Sequence, residues 1–77
     1  MKDLLKAKEG LIVTCSTLVV ARKTYFNIRN LCKGDYDKIY QLDDIIKDLE
    51  RAHVNSMRLM VDIDIAIAKA ELDKLSD

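Results

Sequence analysis

Ile39, Leu42, Ile46, Leu49, His53, Ser56, Met60, Ile63, Ile67 and Ala70 recur at alternating spacings of three and four. That is the seven-residue repeat of a helix packing along another helix. A second row, Val54, Met57, Val61, Ile65, Ala68, Leu72 and Leu75, also keeps to spacings of three and four and is centred about 120° around the helix from the first. A helix with two apolar faces needs two neighbours. One is supplied by the N-terminal half of the chain, where Leu4, Ala7, Leu11, Thr14, Leu18, Ala21, Tyr25, Ile28 and Cys32 form a seam of their own. The simplest source of the other is a second copy.

Punctuation between the halves is confined to Gly34 and Asp35. Glycine supplies the left-handed residue that closes a helix, and the Asp35 carboxylate can cap the next one. The expected architecture is all-α, a long antiparallel hairpin with one helix over residues 2–33, a turn at 34–35 and a second helix over residues 35–75. Two such hairpins, paired through the second seams, make a dimeric four-helix bundle. Two local alternatives compete with it. Gly10 to Ala21 is rich in β-branched residues and could read as a strand, although no other β-rich run or hairpin turn offers it a partner. Asn55, in the weak stretch Ala52 to Ser56, could cap a new helix and give a three-helix bundle.

Composition narrows the function classes. Seventy-seven residues make a single helical domain, near the size at which one core supplies only about 3–5 kcal/mol. An apolar fraction of 49% with no proline describes a folded chain rather than a disordered one. The net charge of zero removes the global electrostatic case for nucleic acid or an anionic membrane. Residues 1–38 carry eight Lys/Arg against four Asp/Glu, and residues 39–77 carry five against nine, so folding the halves together neutralises both. The uncharged run Gly10 to Ala21 falls short of the ~20 residues a membrane span needs. Lys2, Lys6 and Lys8 before an apolar stretch resemble a secretory leader, but Asp3 and Glu9 interrupt the basic segment. Cys15 and Cys32 would lie about 25 Å apart along one helix, too far for a disulfide. A reduced, cytoplasmic setting is the expectation, with an intermolecular bridge as the alternative.

Candidate sites are few. A turn at Gly34 sets residue n roughly opposite residue 68 − n, which brings Thr14 and Cys15 against His53 and Val54. Thr14, His53 and Ser56 then form a polar core layer of the kind that fixes register and oligomer state. A sharper reading pairs Cys15 with His53 as an activated thiol or a metal corner. One histidine and two distant cysteines supply no third ligand, so no catalytic residue, metal site or cofactor is expected. Asp62 and Asp64, two residues apart on a helix, point in different directions and make no acid–base pair. Arg22, Lys23, Arg29 and Lys33, interleaved with Tyr25 and Phe26, have the composition of a nucleic-acid contact. They also lie opposite Asp37, Asp43 and Asp44, which can neutralise them.

The expected function is non-enzymatic protein binding by a homodimer, as a regulator or inhibitor of a larger protein. The second seam, Val54, Met57, Val61, Ile65, Ala68, Leu72 and Leu75, is the expected oligomer or partner interface. A nucleic-acid-binding dimer using residues 22–33 and a structural protein forming higher oligomers are the two alternatives.

Overall fold

Gly34 reverses the chain. Its φ of 90° lies in the left-handed region where a side chain is strained, so the residue closes one helix and releases the next. In the computed structural model, which describes residues 2–76, α1 spans Lys2–Leu31 and α2 spans Tyr36–Ser76. The Cys32 amide donates to the Arg29 carbonyl and the Asp35 amide to the Cys32 carbonyl, each at 3.1 Å. These three-residue closures tighten the end of α1, so it stops at Leu31 rather than at the expected residue 33. Asp35 caps α2 as the sequence suggests, its Oδ1 accepting from the Lys38 amide at 3.3 Å.

Both local alternatives give way to helix. α2 runs without a break through Ala52 to Ser56, so the three-helix bundle is not formed. No glycine or proline interrupts this stretch, and the seam residues His53 and Ser56 stay half-buried through it. α1 is helical across Gly10 to Ala21, and its hydroxyls show how. Thr14 donates to the Gly10 carbonyl at 2.8 Å, Ser16 to Ile12 at 3.0 Å, Thr17 to Val13 at 2.9 Å and Thr24 to Val20 at 3.0 Å. Each hydroxyl is thereby satisfied on a carbonyl of its own helix, one turn back.

The hairpin is a rod of 65 × 14 × 13 Å. Two helices share one line of contact, and that line is thin: among the described residues only Ile46 is buried, at 4% exposure. Leu42, Leu49, His53, Ser56, Met60, Ile63, Ile67 and Ala70 flank it half-buried, as the first seam of α2 requires. The seam of α1 differs from expectation. Leu4, Leu11, Leu18, Ala21, Tyr25 and Cys32 are half-buried as expected, but Ala7, Thr14 and Ile28 are exposed, and Lys8, Cys15 and Arg29 are half-buried in their place. The helix is turned so that the aliphatic stems of Lys8 and Arg29 cover apolar surface while their charged ends reach carboxylates on α2.

With so little buried, Ile46 carries a large share of the hairpin's stability. Ile46→Ala should cost about 2–4 kcal/mol, whereas Tyr40→Ala, at a side chain 68% exposed, should stay within about 0.5 kcal/mol. Urea unfolding followed by circular dichroism measures both, and equal costs would show that Ile46 is not the centre of the core.

Candidate interaction site

Three ion pairs tie the helices together along one edge. Arg29 Nε lies 2.6 Å from Asp43 Oδ1, Arg22 Nη2 lies 2.8 Å from Glu50 Oε1, and Lys8 Nζ lies 2.7 Å from Asp64 Oδ1. Arg22 Nε also donates to Glu50 at 2.8 Å, and its guanidinium stacks 4.8 Å from the Phe26 ring centre. The positions follow one rule: seven residues down α1 match seven residues up α2. Continuing it places Cys15 across from Met57, the one level of four with no charges. The pairs sit about one helical turn beyond the simple facing register, which would have set Ile46 opposite Arg22. Side chains on both antiparallel helices lean toward their own N-termini, so their tips meet farther along.

Apolar rows stand outside these pairs. On α1 the next row round is Leu5, Ile12, Val19 and Phe26, from 36% to 51% exposed. On α2 it is the second seam, and the structure leaves it uncovered: Val54, Met57, Val61 and Ile65 are 46–57% exposed, Leu72 and Leu75 more so, and Ala68 is exposed too. Val19 and Val54 line a shallow groove with Arg22, Glu50 and His53, which places these two residues beside the ion-pair edge.

The opposite edge has a different chemistry. By helical spacing it carries Ala7, Thr14, Ala21 and Ile28 on α1 and Ile45, Ala52, Leu59 and Ala66 on α2. Neither row contains a charge. Ile28 is 39%, Ile45 38% and Leu59 50% exposed. The hydroxyls of Thr14, Thr17 and Thr24 on this side are already spent on α1 carbonyls, so what faces outward there is carbon.

The remaining sequence candidates separate. Thr14 is exposed and does not join a core layer with His53 and Ser56, because the rotation of α1 puts Cys15 inward in its place. Cys15 and Cys32 are free and half-buried. Among the described residues no group of three His, Cys, Asp or Glu side chains could hold a metal ion, and no helix is long and apolar enough to cross a membrane. Of the basic candidates, Arg22 and Arg29 are engaged with Glu50 and Asp43, while Lys23 and Lys33 are exposed. Asp43 was legible as a partner for this segment; Glu50 was not, since the facing register put it one turn away. Comparison with protein-family models, with curated proteins and with solved structures gave no match.

These half-exposed ion pairs contribute modestly, about 0.2–1 kcal/mol each. A double-mutant cycle on Arg29 and Asp43, the shortest pair, should give a coupling energy of about 0.5–1 kcal/mol that shrinks in high salt. A coupling of zero would mean that the pair positions nothing.

Proposed function

We propose that this chain is a non-enzymatic protein-binding module that self-associates and acts as a regulator or inhibitor of a larger protein. One observation carries the reading: among the described residues the hairpin buries a single one and leaves large apolar side chains exposed along its length. Exposed apolar surface of this extent marks interaction sites rather than ordinary protein surface. The Val54 to Leu75 row offers a helical partner anchors at helical spacing. A partner helix lying along α2 would cover Val54, Val61 and Ile65 while leaving the ion pairs at its rim. The nucleic-acid alternative is weakened by the engagement of Arg22 and Arg29 with acidic residues.

The test has two arms. Light scattering across a concentration series should show a species larger than a monomer. Co-purification from the native host should then yield a stoichiometric protein partner that is lost from Val54→Glu/Val61→Glu and retained by Lys23→Glu. A chain that is monomeric and holds no partner sensitive to Val54 and Val61 would overturn the reading. Growth past a dimer with no foreign partner would favour the structural assembly protein instead.

A further inference from the structure

Of the two edges, only one can receive a second hairpin without burying charges. Docking on the ion-pair edge would centre a bundle on Arg29–Asp43, Arg22–Glu50 and Lys8–Asp64, whose side chains are now 37–51% exposed. Removing six charges from water carries a desolvation penalty that mutual attraction only partly returns. The opposite edge has no charges in its two inner rows, and its threonine hydroxyls are already satisfied. Covering it desolvates carbon.

We infer that a second copy of this chain packs on the edge formed by the Ala7–Ile28 row and the Ile45–Ala66 row, with the turns of the two hairpins at opposite ends. This rests on the self-association proposed above and names its surface, which is not the Val54 to Leu75 row. A second copy matches this face in length and width, and a hairpin footprint of 65 × 14 Å, on the order of 900 Å2, leaves room for the ~800 Å2 per partner of a stable interface.

The orientation follows from side-chain volume. Along this edge the levels run Ala7 with Ala66, Thr14 with Leu59, Ala21 with Ala52, and Ile28 with Ile45. With the turns at the same end, like meets like, giving layers of four alanines beside a layer of four isoleucines. With the turns at opposite ends, the Ala7 level meets the second copy's Ile28 level, and the Thr14 level meets its Ala21 level. Each layer then combines small and large residues, the condition for even core packing. The two-fold axis passes near Thr17, where the two α1 helices come side by side. The same overlap brings Asp48 near the second copy's Asp62 at the wetted rim, where water and salt screen the repulsion.

Three measurements decide it. Thr17→Cys, an exposed position, should give a covalent dimer on mild oxidation, while the wild-type chain, whose Cys15 lies on the other edge, should not. Leu59→Lys should weaken dimerisation by at least about thirtyfold, the effect of losing a central anchor, and Val61→Lys should leave the mass unchanged. Circular dichroism should show both variants still helical. Cross-linking of the wild type through Cys15, or loss of the dimer in Val61→Lys but not in Leu59→Lys, would move the interface to the ion-pair edge. A dimer that Thr17→Cys fails to trap would overturn the orientation. Each of these leaves protein binding intact, whereas a monomer at every concentration removes self-association as well.

Discussion

Two helices touch along one line, and a line cannot enclose a core. Everything else about this hairpin follows from that shortage. Among the described residues Ile46 alone is buried, because each of its neighbours on the seam has solvent on at least one side. The structure responds by using both flanks of the contact line. On one flank, long charged side chains bridge the helices and lay their methylene stems over the seam. On the other, small residues and self-satisfied threonines leave a surface that water covers for want of anything better.

A seven-residue period shared by both helices keeps the flanks distinct. Because α1 and α2 step by the same interval in opposite directions, a residue type placed once per heptad stays on one edge from the turn to the far end. Lys8, Arg22 and Arg29 on α1 and Asp43, Glu50 and Asp64 on α2 are products of that rule. Cys15 and Met57 occupy the same rule with apolar atoms. The hairpin is therefore two-sided, with one edge bridged by charges and one whose inner rows carry none. The self-association and the helix capture proposed for this chain therefore call on different surfaces.

Much of the fold was legible in the residues. The heptad from Ile39 to Ala70 located the core of α2, and Gly34 with Asp35 located the turn and the cap. The second seam was legible as uncovered surface because its apolar positions outnumber what one neighbour can bury. The rotation of α1 was not legible. Pattern alone favours Ala7, Thr14 and Ile28 over Lys8, Cys15 and Arg29 as inward positions, since it scores lysine and arginine as polar throughout. Their stems are apolar and their ends reached carboxylates whose positions depend on the tilt of side chains on both helices. For the same reason the pattern puts Thr14 in a polar layer that the structure does not build, and the charge-free edge depends on the way α1 turns, which the ion pairs mark.

The ion pairs also set an order of events. Arg29 and Asp43 are 14 positions apart and Arg22 and Glu50 are 28, while Lys8 and Asp64 span 56 (8 to 64). Each pair thus closes a loop twice as long as the one before, and each doubling adds about 0.6 kcal/mol of closure entropy when it forms alone. Formed in sequence from the turn, each closure adds only the segment beyond the last, so the chain has reason to zip from Gly34 outward and to fray from the opposite end. Amides near Lys8 and Asp64 belong to the part that opens first, and those beside Asp43 to the part that opens last.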